Sequence, residues 1–215
     1  MKAGAMGRIF AAAAIVGLAL GGYATGASAQ GVAPEAAKKF ITEMGTRTVA
    51  TLEKQGNVGQ RNNEFTRIMI EALDFEALAL STLGKMARTV TPADKKEFTR
   101  LFAAYVIDVA IEKFGSIHIT GFGVGAVRQQ PNGDVKVNTA INRSGDKPIS
   151  VDWRVRNTNG APRINDMEIE GYSLSIHYQG EFQRAGVSTV GGLIQRLKDL
   201  TSNSKAMPAV QQAMK

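Results

Sequence analysis

The chain has 215 residues, no cysteine and a formal charge of +7. That length supports one domain with a substantial core, and the missing thiols exclude disulfide staples, thiol catalysis, iron–sulfur clusters and cysteine-ligated zinc. The Lys/Arg excess is spread without a block, which is a mild bias towards anionic partners such as phospholipid surfaces and too diffuse to indicate nucleic acid.

Lys2 and Arg8 precede an apolar run from Ile9 to Leu20, then Gly21-Gly22 and the triplet Ala27-Ser28-Ala29. A charged leader, a short apolar run and an A-x-A site predict a secretory signal peptide over residues 1–29, cleaved before Gln30. The run is shorter than the ~20 apolar residues of a membrane-spanning helix. An exported, soluble protein is therefore expected, without a lipid anchor because no cysteine exists to be acylated. Loss of Lys2 and Arg8 lowers the formal charge by two.

Pro34 to Gln55 reads as a helix with proline in its first turn. Phe40, Ile41, Met44, Thr48, Val49 and Leu52 give it one apolar stripe. Asn62-Asn63 are expected to begin the next helix, with Phe65, Ile68, Met69 and Leu73 as its core face. Asp74 is predicted to cap a short helix over Phe75 to Leu83, closed by Gly84. A turn of helix follows at Lys85 to Arg88. Thr91-Pro92 then opens the longest helix, with Phe98, Leu101, Phe102, Tyr105, Val106 and Val109 on one side.

The periodicity next changes to two. Ile117 and Ile119 alternate with His118 and Thr120, but beyond Gly121 the apolar positions are Phe122 and Val124. The phase slip predicts a glycine bulge that bends the strand. After the turn Pro131 to Asp134, the residues Val135, Val137, Thr139 and Ile141 share one face. Ile149, Val151, Trp153 and Val155 do the same in the next strand. Asn159-Gly160 supplies the positive φ angles of a tight hairpin, and Arg163 to Glu170 returns with Met167 and Ile169 in register. Leu174, Tyr178 and Phe182 then recur at helical spacing. Ser188 is expected to cap a last amphipathic helix carrying Val190, Leu193, Ile194, Leu197 and Leu200. The expected organisation is a single α+β domain over residues 30–200, followed by a polar, mobile tail over 201–215.

Catalytic signatures are thin. His118 and His177 have no matched partner, and no HExxH, GxSxG or phosphate-binding loop occurs. Gly121-x-Gly123-x-Gly125 lies within a strand and opens no helix, so it reads as the bend. Asp166 and Glu170 are candidate acids, with a solvated edge and a helix-side hydrogen bond as the plainer roles. Asp108 reads as part of a polar helix face. What is abundant is apolar surface. A curved four-stranded antiparallel sheet packed with several amphipathic helices can enclose an apolar pocket, and an ordinary packed core would give the same pattern.

Ser150 to Val155 (SVDWRV), the turn at Gly160, Ile164 to Leu174 (INDMEIEGYSL), Phe182 and Gly192 to Leu197 together resemble the MlaC family of phospholipid carriers, also called the toluene-tolerance family. Upstream, Phe75 to Gly84, Arg88, Thr91-Pro92 and Phe98 to Tyr105 are similar in order and spacing. Met86 and Ala87 stand where the family commonly carries an aromatic pair, and Asn165 where it often has an aromatic.

The resemblance implies a periplasmic, monomeric carrier whose pocket holds phospholipid acyl chains. It implies exchange with an inner-membrane ABC transporter carrying an MCE subunit and with an outer-membrane lipoprotein–porin complex. No cofactor and no metal are expected. The walls are expected to include Phe102, Tyr105, Val151, Trp153, Met167, Ile169 and Tyr172, each of which could equally be plain core. Three other readings stay open. The cargo could be a hopanoid or another apolar molecule. A cone-shaped enzyme scaffold like that of ketosteroid isomerases would need a buried acid or imidazole, with Asp166 and His118 as nominees. An adaptor without a cavity is the third.

Overall fold

The computed structural model describes residues 31–54, 56–115 and 117–215. The signal peptide assigned to 1–29 and its cleavage point at Gln30 lie outside the described residues. Helix α1 (Pro34–Leu52) begins on its proline, whose fixed φ and missing N–H suit a first turn. Helix α2 (Val58–Ala72) starts earlier than the Asn62-Asn63 pair suggests. Asn57 is the cap, accepting the Gln60 N–H at 3.1 Å. Asp74 caps α3 (Phe75–Leu83) as expected, accepting from the Ala77 N–H at 2.9 Å, and Gly84 ends it at φ +55°. A 3-10 turn over Gly84–Arg88 leads to α4 (Pro92–Gly115), where the Thr91 hydroxyl accepts the Asp94 N–H at 3.1 Å.

The strands β1 (Ile119–Gln129), β2 (Val135–Arg143), β3 (Ile149–Thr158), β4 (Ala161–Ile169) and β5 (Tyr172–Ser173) form one antiparallel sheet in chain order. This is five strands rather than the expected four. Gly171, at φ +83°, turns the chain so that Tyr172 pairs with Ile169 before α5 (Leu174–Arg184) begins. A two-residue strand is too short to show alternation. The β3–β4 hairpin turns on Asn159 and Gly160 at φ +53° and +85°, as the dipeptide predicts.

Register places the inner face. Thr139 pairs with Val151 and Val151 with Ile169, while Trp153 pairs with Met167 and Val155 with Ile164. Between Arg154–Asp166 and Val155–Ile164 the register shifts, leaving Asn165 as an extra residue. Strict alternation would send Asn165 inward beside Met167. The bulge instead carries it to the outer face, where its amide donates to Asp134 at 3.1 Å. Asp134 also accepts from Arg156 at 2.8 and 3.1 Å and from Asn132 at 3.0 Å.

The bend in β1 is present. The register shifts between Ile119 and Gly121 and again between Val124 and Val127, and Gly121 sits at φ +144°. No positive φ occurs at Gly123, and nothing crowds a β-carbon at either glycine. Backbone conformation alone therefore separates them. Gly121→Ala is expected to cost about 1 kcal/mol or more and Gly123→Ala under about 0.5 kcal/mol. Urea midpoints measure both, and equal midpoints would show that the bend carries no strain for a side chain.

The helices lie on the inner face. α1 crosses β1 and β2, and α4 runs through the middle of the helical layer against α2, α3, α6 (Val190–Leu200) and α7 (Met207–Ala213). The cap of α6 is Thr189 rather than Ser188, accepting the Gly192 N–H at 3.1 Å. Residues 201–215 also differ from the expected polar, mobile tail. Ala206 and Val210 are fully buried, and the Ala206 N–H donates to Asp108 at 3.2 Å. An i, i+4 pair of small apolar residues is enough to dock a two-turn helix, and it hardly shows in a polar composition. No described helix is long and apolar enough to cross a membrane.

Candidate functional site

Between the sheet's inner face and helices α1, α2 and α4 lies a cavity of about 320 Å³. Its floor is Phe122, Thr139, Ile141, Ile149, Val151, Trp153, Ile164, Met167 and Ile169. Its roof is Ile41, Met44, Thr48 and Val49 of α1, Phe65 and Ile68 of α2, and Val106, Val109, Ala110, Lys113 and Phe114 of α4. At Gly45 a β-carbon would overlap the Phe122 ring, so the bare backbone there lets α1 lie close on the bent strand.

One end of the cavity is closed by packing and the other is open. At the closed end of the sheet Val135, Val137 and Val155 are wholly buried. Towards the other end Val49, Phe114, Phe122, Ile141 and Ile149 are half-buried, and Ile169 is 37% exposed. Two of the few polar groups in the wall bond to protein. The Trp153 Nε1–H donates to the Thr139 hydroxyl at 2.8 Å, which in turn donates to the Val151 carbonyl at 3.3 Å. Burial pushes the Tyr178 phenol well above its ordinary pKa, with Tyr105 and Glu181 adding to the shift, so it stays a neutral wall group. Such a lining offers a guest mainly contact to carbon, with Lys113 its one charged group among the described residues.

Of the residues expected in the wall, Val151, Trp153, Met167 and Ile169 line this cavity. Phe102, Tyr105 and Tyr172 do not. Phe102 is fully buried one layer away, with ring centroids 5.9 Å from Phe98 and 5.2 Å from Tyr178. Tyr105 meets Tyr178 edge-on at 5.8 Å. Tyr172 is 79% exposed, next to the open end but outside it. Phe102→Leu is therefore expected to cost about 1–2 kcal/mol in thermal or urea unfolding while leaving ligand loading unchanged. Lost loading in a folded Phe102→Leu protein would return that residue to the wall.

Sequence reasoning missed Phe65, Phe114, Phe122 and Gly45 as parts of the site. Phe65 and Phe122 were legible as core positions on the α2 stripe and after the β1 phase slip. Nothing in the sequence says that these two surfaces meet across a gap. The acid and imidazole candidates all stand elsewhere. Asp166 lies on the outer face, accepting from Ser173 and Ser175 at the start of α5. Glu170 accepts the Ser150 N–H at 2.5 Å. His118 is exposed, and His177 lies edge-on to Tyr178 at 5.4 Å. Met86 and Ala87 pack against the core without lining the cavity.

The family model described as MlaC protein matches residues 38–199. No curated protein matches the chain. Among solved structures, the chain is similar to the phospholipid-binding protein from Ralstonia solanacearum, determined in complex with a phospholipid. The TM-score is 0.66 at 20% identity, covering 78% of this chain and 97% of that one. At that identity the likeness is one of fold.

Proposed function

This chain belongs to the MlaC family, and on that premise we propose that it is a phospholipid carrier that holds acyl chains between its sheet and its helices. The observation that carries this reading is the cavity itself, mostly carbon-lined and open at one end, with Trp153 and Thr139 bonded to protein. Each methylene withdrawn from water contributes about 0.8 kcal/mol. Roughly ten sequestered methylenes thus supply about 8 kcal/mol, micromolar binding without any covalent bond. The volume is near the lower end of ligand pockets, which run from about 300 to 1,000 Å³. The open end then leaves the headgroup outside.

The same reading places the protein in the periplasm. There it would move lipid between an inner-membrane ABC transporter with its MCE subunit and an outer-membrane lipoprotein–porin complex. It assigns the chain no reaction, since Asp166, Glu170, His118 and His177 stand outside the cavity. Native mass spectrometry of protein purified from a membrane-rich source, followed by organic extraction, tests the cargo. A stoichiometric phospholipid is the expected result. A stoichiometric hopanoid would replace the cargo, and protein that stays empty after incubation with phospholipid vesicles would remove the carrier reading.

A further inference from the structure

A second hollow, of about 370 Å³, lies where α1 gives way to α2 and is polar where the first is apolar. Lys54, Asn57, Gln60, Arg61, Glu64 and Arg67 line it. The one carboxylate is already shared, with Glu64 3.9 Å from Arg47 and 3.8 Å from Arg67. The Asn57 carbonyl oxygen is taken by the α2 cap. Arg61 is different. Its Nε is buried without a hydrogen-bond partner, and neither Arg61 nor Lys54 forms an ion pair among the described residues. A buried guanidinium N–H left unmade is costly and calls for an acceptor.

The position of Arg61 says what that acceptor could be. Phe65, Ile68 and Ala72 form the stripe of α2 that lines the apolar cavity, and Arg61 is one turn before Phe65 on the same side. Phe65 meets Phe114, next to Lys113, at the end of α4, with ring centroids 6.0 Å apart. The cationic hollow therefore adjoins the wall formed by Phe65 and Phe114. An amphiphile whose chains fill the cavity would bring its first polar group there.

We propose that this hollow binds a phosphate group, with Arg61 as the principal donor and Lys54 as a supporting charge. A guanidinium presents two parallel N–H groups to two oxygens of a phosphate, a geometry an ammonium lacks. The lipid phosphate as its source rests on the carrier reading above; a free phosphate would use the same donors.

The test compares binding of a pyrene-labelled phosphatidylethanolamine with that of a pyrene-labelled diacylglycerol of the same chains, alongside calorimetric titration of inorganic phosphate. Wild-type protein is expected to prefer the phospholipid by about tenfold, the worth of one charge-assisted pair. Arg61→Gln should remove most of that preference, Arg61→Lys should keep part of it, and diacylglycerol binding should be unchanged in both. Should Arg61→Gln fold poorly, Lys54→Gln, on the exposed segment after α1, should still lower the preference roughly threefold. No lipid preference, with inorganic phosphate bound by wild type and lost in Arg61→Gln, would assign the site to free phosphate. Equal affinity for both lipids together with no Arg61-dependent binding of inorganic phosphate would overturn the proposal while leaving the carrier reading intact. Failure of wild type to bind either lipid would sink the carrier reading, and the inorganic phosphate titration alone would then decide the site.

Discussion

Val151→Arg is expected to give a soluble, folded protein that carries no phospholipid. Val151 sits on the inner face of β3 between Thr139 and Ile169, almost without exposure, and it lines the cavity. In a filled core, an arginine there would be an unpaired buried charge costing several kcal/mol, and the protein would unfold or aggregate. Beside a void, the long side chain can occupy the space meant for acyl carbon. Its guanidinium can then follow Ile149 and Ile141 towards the open end and water. Ile169→Arg starts closer to that end, being 37% exposed, and should be the milder change for stability. Circular dichroism and lipid extraction read the two effects separately. Folded variants that still carry wild-type amounts of lipid would place the pocket elsewhere. Unfolding of both single variants would mean that the cavity is filled core.

Asp134→Ala on the outer face is expected to destabilise the protein by about 2–3 kcal/mol. The carboxylate is 1% exposed and joins the β1–β2 turn to β3 and β4 through Asn132, Arg156 and Asn165. Removing it strands the buried Asn165 amide and frees the donors of Arg156 and Asn132 to solvent. The value stays below that for a fully buried pair because the Arg156 side chain is 47% exposed and water can take over part of its hydration. Desolvation by burial would raise the Asp134 pKa. The hydrogen bonds from Arg156, Asn165 and Asn132, with the Arg156 charge, outweigh it and hold the group below its usual range. The folded pKa is thus the depressed one. Its contribution is complete above the unfolded value of about 4 and is lost as pH falls through the lower folded value. Urea unfolding at neutral pH and near pH 3 should show a smaller acid loss in Asp134→Asn than in wild type. Parallel losses would remove Asp134 from the acid response.

Local chemistry in the sequence read through to structure wherever one residue type answers one geometric need. Asn159-Gly160 made the hairpin, Asp74 capped α3, and the phase slip at Gly121 marked the bend. Alternation also placed Val151, Trp153, Met167 and Ile169 together on the inner face. Spacing left the rest open where a pattern has two solutions. Period two cannot reveal that Asn165 is an extra residue, because the bulge is held by Asp134, distant in sequence. Helical spacing showed that Phe102, Tyr105 and Val106 are apolar positions of α4, but α4 is covered on several sides. Phe98 and Phe102 meet Phe182, whereas Val106, Val109 and Phe114 meet the cavity. Which side faced the void depended on where α5 and α7 dock, and spacing within α4 carries no record of that.

Trp153 is the chain's one tryptophan and stands in the cavity wall, so its fluorescence reports occupancy of that space and no other. Delipidated protein should be titrated with two phosphatidylethanolamines of equal chain length, one brominated along the acyl chains and one not. The account predicts saturable quenching by the brominated lipid, none by its unbrominated counterpart, and loss of the quenching in Val151→Arg despite an unchanged fold. Saturable binding of the brominated lipid, measured by mass spectrometry, without any quenching of Trp153 would contradict it.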